Sequence, residues 1–580
     1  MKGLAVKKKE WFLLQSLMVG ISAGLVSSLY RFVIGKGEGV CLWAYGALRT
    51  FLAPLSATVS AAAGQGASTA STQAAPAHAT SASWAVETAS TAAAAGPGPA
   101  IPSAGAAWAA TAGPYKPLVL LASVVILALL GLAVALLVRH NPMIGGSGIP
   151  QVKGIILGFL QDRWFFTLVQ KFIGGVLAVA GGLSLGREGP SIQLGACVAD
   201  GLGGRFASPP AHRRILIASG ASAGLAAAFN APLAGVMFAF EEIYRYLSPV
   251  TLLSATVAAV SADYVSKLFF GTGPVFHFTV PTAIPLESYY VLLPLGVITG
   301  LCGALYNTVL VRTIRYYGRL WDLAPRRFAF LKPIPVFLLA LLVGVCFPVA
   351  LCGGHEMLSE LSVETAIGAL LGALAVKFAF SMISFASGAP GGIFFPLLVM
   401  GAFIGGIFAK VSIAAWGGSP DLFYNFAVLA MVGMFTSIVR APITGIILLM
   451  EMTGSFSHFL SFTIVAVVSY VVADLCKSTP IYDSLLDNLL EKPGRMRQSE
   501  GPTVQIETIV HQGAPAVGKT VQELGLGANC LIIAIKRQSR EITPNGSTVI
   551  CANDQLTLVC NSGDEAAVRA HSLPQFSFEG

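Results

Sequence analysis

The sequence predicts an all-α polytopic membrane protein that carries a small α/β domain at its C-terminal end. Three observations predict it. The 580-residue chain is 55% hydrophobic and only 11% charged, with a mean hydropathy of +0.73, whereas average soluble domains hold about 25% charged residues. Apolar runs long enough to cross a hydrocarbon core recur along it. Beyond residue 502 the composition shifts to short β-branched runs separated by turn residues.

The first apolar run, Trp11–Ile34, follows Lys7, Lys8 and Lys9, which place the N-terminus in the cytoplasm. The run is too long for the apolar core of a cleaved signal peptide, so it reads as a retained helix, and residues 1–55 as the cytoplasmic N-terminus with the first membrane helix. Residues 56–114 are almost wholly Ala, Ser, Thr, Gly and Pro, with Glu87 the sole acid. Such a stretch buries too little apolar surface to fix its backbone, and it falls on the outer side as a loop insertion or a stalk.

Residues 115–492 form the expected membrane body, with apolar runs at Pro117–Val138, Tyr289–Leu310, Pro335–Ala350 and Phe459–Ala473. The chain's 63 Gly and 32 Pro break many runs. Broken helices survive in a membrane where protein or a wet cavity receives the freed backbone groups, which points to a transport site. The net charge of +8 comes from basic residues at the edges of apolar runs, such as Arg312, Arg315, Arg319, Arg326 and Arg327, then Lys492, Arg495 and Arg497. That is a topology signal and does not imply nucleic acid.

In residues 502–580, Thr503–Val510, Cys530–Lys536, Thr548–Cys551 and Gln555–Cys560 read as strands, and Val521–Leu526 and Asp564–Ala570 as short helices, with Pro544-Asn545-Gly546 as a turn. The nine Cys are scattered with no C-x-x-C pair, so neither disulfide nor metal is expected. With no P-loop, metal-spaced cluster or nucleophile elbow in the sequence, no enzyme and no cofactor are expected. A T-V-G-Y-G filter, which a potassium channel would need, is also missing from the sequence.

Three glycine-rich segments in the membrane body carry the chemistry. Gly146-Ser147-Gly148-Ile149-Pro150 sets exposed N–H groups and the Ser147 hydroxyl at a helix start, which suits an anion; a small-residue packing motif is the other reading. Gly186-Arg187-Glu188-Gly189-Pro190 repeats the plan with a carboxylate where an anion would bind, and an acid at membrane depth is functional by default. An Arg187–Glu188 ion pair is its structural alternative. Gly388-Ala389-Pro390-Gly391-Gly392-Ile393-Phe394-Phe395-Pro396 is the third, or else a tight loop between packed helices. Tyr482, in Thr479-Pro480-Ile481-Tyr482, reads alone as an interfacial anchor.

In this order the motifs resemble the CLC family of chloride channels and exchangers. The segments Gly224-Leu225-Ala226-Ala227-Ala228-Phe229-Asn230-Ala231-Pro232-Leu233-Ala234-Gly235 and Arg440-Ala441-Pro442-Ile443-Thr444-Gly445 agree with it too. The resemblance implies a CLC fold of inverted repeats of tilted, broken helices, in a homodimer whose subunits each have an anion path. It implies chloride contacts from Ser147, Tyr482 and the N–H groups of Ile393 and Phe394, with Gly146, Gly148, Gly186 and Arg187 around them. Glu188 would be the external gate, occupying an anion position when ionised and swinging away when protonated.

In Phe240-Glu241-Glu242-Ile243, alignment through Asn230-Ala231-Pro232 puts Glu242 where family exchangers carry an internal proton-relay acid. A surface acid at a helix end is the bland account. Glu188, Glu242 and Tyr482 together favour chloride/proton antiport, with a passive voltage- or ligand-gated chloride channel as the alternative. Serine at position 147 favours chloride over nitrate by the same resemblance. The tail is similar to TrkA-C (RCK-C) domains on ion transporters, implying either a dimer clamp or a site for a small regulatory ligand of the nucleotide type. By analogy with such relatives the expected location is a bacterial inner membrane, with both termini cytoplasmic.

Overall fold

The computed structural model describes residues 2–63, 116–244, 248–273, 276, 284–323, 325, 327–416, 419–490, 503–526, 530–538, 540–561, 568 and 573–577. Residues 64–115, Arg326, Lys492, Arg495, Arg497 and all of 564–570 but Val568 lie outside them. Among the described residues eight helices are long and apolar enough to cross a membrane. The chain is a multi-pass membrane protein.

Helix α1 (Lys2–Ala63) runs past residue 55, through alanines that favour helix. A first set follows: α2 (Lys116–His140), α3 (Ile149–Ile156), α4 (Trp164–Ala180), α5 (Glu188–Arg205), α6 (Pro210–Phe229) and α7 (Pro232–Phe238). Helices α8 (Pro249–Phe270) and α9 (Leu292–Asp322) connect to a second set: α10 (Pro333–Cys346), α11 (His355–Ser359), α12 (Ile367–Ala386), α13 (Phe394–Trp416), α14 (Phe423–Val439) and α15 (Pro442–Thr453). Helices α16 (Phe459–Leu475) and α17 (Ile481–Leu490) end the membrane body.

The two sets trace the same path. Gly146 and Gly148 have φ of 65° and 97°, and Cys352 and Gly354 have 53° and 99° at the equivalent places. Lys171 on α4 donates to the carbonyls of Ile144 and Gly146, as Lys377 on α12 does to those of Ala350 and Cys352. Asn230 and Arg440 both end their helices in the left-handed region. Equivalent residues Gly186 and Gly392 form an antiparallel bridge, and antiparallel pairing of equivalent residues requires a two-fold axis between them. The halves are therefore inverted repeats.

The C-terminal unit is a sheet ordered β1-β4-β2-β3, all antiparallel, from β1 (Thr503–Ile509), β2 (Cys530–Arg537), β3 (Arg540–Ile542) and β4 (Gln555–Asn561). Ile506, Ile532, Ile535, Leu556 and Leu558 fill its core. Two expectations need correction. Residues 548–551 form no strand beyond a single Thr520–Val549 bridge, and Val521–Leu526 is a turn. The cause is mutual: Val521 and Gln522 donate to the carbonyls of Thr548 and Gly546, and Ile550 donates to Lys519, so neither segment builds its own ladder or helix. β3 was not expected from the sequence.

Candidate functional site

Two backbone bridges draw the three glycine motifs to one place. The Gly146 N–H donates to the Ala389 carbonyl (3.2 Å), and Gly391 donates back to Gly146 (3.0 Å); Gly186 and Gly392 exchange both bonds at 2.7 Å. Helices α3, α5 and α13 start directly after these bridges. Their first-turn N–H groups have no acceptor within the helix and carry the positive end of the helix dipole. Three such starts in one region favour an anion.

Close approach explains the glycines. A methyl group on Gly148 would lie 2.8 Å from Gln193 Cβ, on a backbone with φ of 97°. One on Gly186 would collide with the Glu188 carboxylate and come within 3.2 Å of Pro396 Cδ. Lys171, fully buried, takes up the carbonyls of Ile144 and Gly146 just before α3.

The region around these helix starts holds polar groups with no hydrogen-bond partner among the described residues. Ser147 Oγ, Tyr482 Oη, both Glu188 carboxylate oxygens and Arg187 Nε lack hydrogen-bond partners there. Ser147 is 2% exposed, and Glu188 and Tyr482 are 0%. An unsatisfied buried group costs about 1–3 kcal/mol, so such groups mark a place a ligand would complete. Arg187 Nε stands 3.9 Å from Glu188 Oε1, an ion contact without a hydrogen bond. Tyr482 sits edge-on to Phe238 (6.4 Å between ring centroids), Phe238 to Phe394 (6.2 Å), and Phe394 packs on Phe229 and Phe435 (5.1 and 4.9 Å). An aromatic sleeve thus joins the tyrosine to the start of α13. Ile393 is buried just before Phe394.

Glu241 and Glu242 share a π-helical segment, Ala239–Tyr244, and have opposite surroundings. The Glu241 carboxylate accepts from the N–H groups of Ile443 (3.0 Å) and Thr444 (2.6 Å) at the start of α15. Glu242 is 1% exposed and accepts from Lys153 Nζ at 2.8 Å. Lys153 also pairs with Asp483, next to Tyr482. The sequence reading missed Lys153, Asp483, Lys171, and Tyr306, whose buried hydroxyl also lacks a hydrogen-bond partner among the described residues. A charged residue inside an apolar helix is itself a signal of function, and applied to Lys153 and Lys171 it finds them.

Inverted halves with broken helices converging on unsatisfied donors define a membrane ion-transport protein. The family described as "Voltage gated chloride channel" matches residues 130–474, and "TrkA-C domain" matches 506–572. The chain belongs to that chloride channel family, the CLC family. It is 32% identical over 409 residues, 66% of this chain and 80% of the other, to a protein of Yersinia pestis bv. Antiqua (strain Angola) named H(+)/Cl(-) exchange transporter ClcA. A solved slow cyanobacterial Cl-/H+ antiporter superposes with a TM-score of 0.66 at 25% identity, covering 83% of this chain and 98% of that one. A eukaryotic CLC transporter shares the fold, with a TM-score of 0.59 at 18% identity over 88% of this chain and 78% of that one.

Proposed function

We propose that this protein exchanges chloride for protons across the membrane, with Glu188 as the gate. One observation carries the reading: a fully buried carboxylate without a hydrogen-bond partner on another residue opens α5, at the meeting point of the anion-attracting helix starts. Chloride held by Ser147, Tyr482 and the N–H groups of Ile393 and Phe394 competes with that carboxylate for one positive region. Protonation removes the competition, so a proton and a chloride ion are handled by mutual exclusion. Glu242 relays protons from the cytoplasmic side. The relatives named as exchange transporters support the same assignment.

The reading places a homodimer in a bacterial inner membrane with both termini cytoplasmic. It gives residues 502–580 a regulatory role, responding to a small ligand of the nucleotide type; calorimetry of the full chain with nucleotides that shows no heat removes that role. The main test uses liposomes loaded with chloride and an imposed chloride gradient. Uphill proton movement that disappears in Glu188→Gln and Glu242→Gln is expected. Chloride flux without proton movement in the wild type would assign passive conduction instead.

A further inference from the structure

Three charged side chains meet where α3, the π-helical segment and α17 touch. Lys153 Nζ lies 2.8 Å from Glu242 Oε1 and pairs also with Asp483 Oδ1. Side-chain exposure is 4% for Lys153, 1% for Glu242 and 29% for Asp483. Each element also belongs to the site: α3 follows Ser147, and α17 carries Tyr482 beside Asp483.

Charge accounting gives this trio a use. A buried lysine with one carboxylate partner resists protonation of that partner, because an uncompensated cation would remain. Two carboxylates remove the obstacle. When Glu242 is neutral Lys153 keeps Asp483, and when Asp483 is neutral it keeps Glu242. One proton can therefore sit on either acid while a compensated pair persists. Sharing one ammonium also brings the two carboxylates within reach of a single bridging water, close enough for proton transfer. Asp483 is the acid of the two that reaches the surface of the subunit.

We propose that Asp483 is the entry acid for protons bound for Glu242, with Lys153 as the positioning residue that changes counter-ion as the proton passes. In the step, the Asp483 carboxyl gives up its proton and becomes a carboxylate paired with Lys153. The Glu242 carboxylate takes the proton, directly or through water, and becomes neutral. Lys153 keeps all three of its protons. The inference rests on the exchange reading above.

The test measures chloride and proton fluxes in the same liposomes, with full-length protein. Wild type and Glu242→Gln serve as the controls for exchange itself. Asp483→Asn is expected to lower protons moved per chloride at least tenfold, and Asp483→Glu to restore the ratio. Lys153→Met should lower the ratio as well, and Lys153→Arg should keep it. Asp483→Asn leaves Lys153 paired with Glu242, so the fold should hold. Where Lys153→Met does not fold, the Asp483 pair of variants decides. If wild type and Glu242→Gln behave as an exchanger and its uncoupled form while Asp483→Asn keeps the wild-type ratio, the inference is wrong and the exchange reading stands. Chloride and proton fluxes falling in proportion would mark Asp483 as structural and would overturn the inference in the same way. A wild type that moves no protons overturns both.

Discussion

Glu241 and Glu451 each cap the helix on which the other's half of the molecule relies. Glu241, just beyond α7, accepts from Ile443 and Thr444 at the start of α15. Glu451, near the end of α15, accepts from Leu233 and Ala234 at the start of α7, at 3.1 and 2.8 Å. Each carboxylate satisfies two orphan donors and sits at a positive dipole end. The clasp is reciprocal because the halves are inverted.

Replacing either clasp residue should therefore act on stability and leave coupling in place. Glu241→Gln and Glu451→Gln are each expected to destabilise the protein by about 0.5–2 kcal/mol, the range of a lost helix cap. Thermal unfolding in detergent should show similar falls for both. If Glu241→Gln abolishes proton movement as Glu242→Gln does, the division of labour between these neighbours is wrong.

On the proposed reading, Ser147→Ala and Tyr482→Phe each remove one buried donor to chloride. A hydrogen bond to a charged group contributes about 1.5–3 kcal/mol, so chloride affinity should fall by roughly ten- to a hundredfold for each change. Isothermal titration with chloride measures it. Unchanged affinity in both variants would remove these hydroxyls from the site.

Gly186→Ala tests the backbone bridge. The added methyl would displace the Glu188 carboxylate and come within 3.2 Å of Pro396 Cδ and 3.3 Å of the Phe395 nitrogen, and overpacking a tight site costs about 1–3 kcal/mol. Both lower thermal stability and weaker chloride binding are expected. Wild-type behaviour in both measurements would contradict the close approach.

In the C-terminal unit, Asp554 is fully buried and accepts from Arg537 Nε and Nη2 and from the Cys551 N–H, all at 2.8 Å. Arg537→Ala leaves that carboxylate with one donor. Because the arginine is 36% exposed and water can partly replace it, the loss should be about 1–3 kcal/mol. Limited proteolysis of the full chain should cut faster within residues 503–561, and equal cutting rates would count against the pairing's role.

The helix starts were legible in the sequence because glycine and proline have backbone reasons to be where they are. Gly148 and Gly186 announce a close approach whatever surrounds them. The resemblance of the motifs then supplied the family. Glu241 and Glu242 could not be told apart by environment from sequence, since their directions depend on the local π-helical winding. Lys153 stands out as a charge within an apolar helix, but its partners stayed hidden because they come from segments far away in the chain. In the small domain, β3 is three residues long and exists through its register with β2, while Thr548–Cys551 lost its strand to contacts with the 516–522 turn. The repeat was obscured where residue identity changes: Ser147 matches Gly353 and Lys153 matches Ser359, and there the backbone angles preserve it.

The bridge between Gly186 and Gly392 has one more consequence. Two residues along from each stand Glu188 and Phe394, which hold equivalent places in the two halves. One is an acid; the other is a phenyl ring wedged among Phe229, Phe238 and Phe435. A strictly duplicated molecule would look alike from above and below and could not tell one compartment from the other. This mismatch across the axis helps give the protein an up and a down.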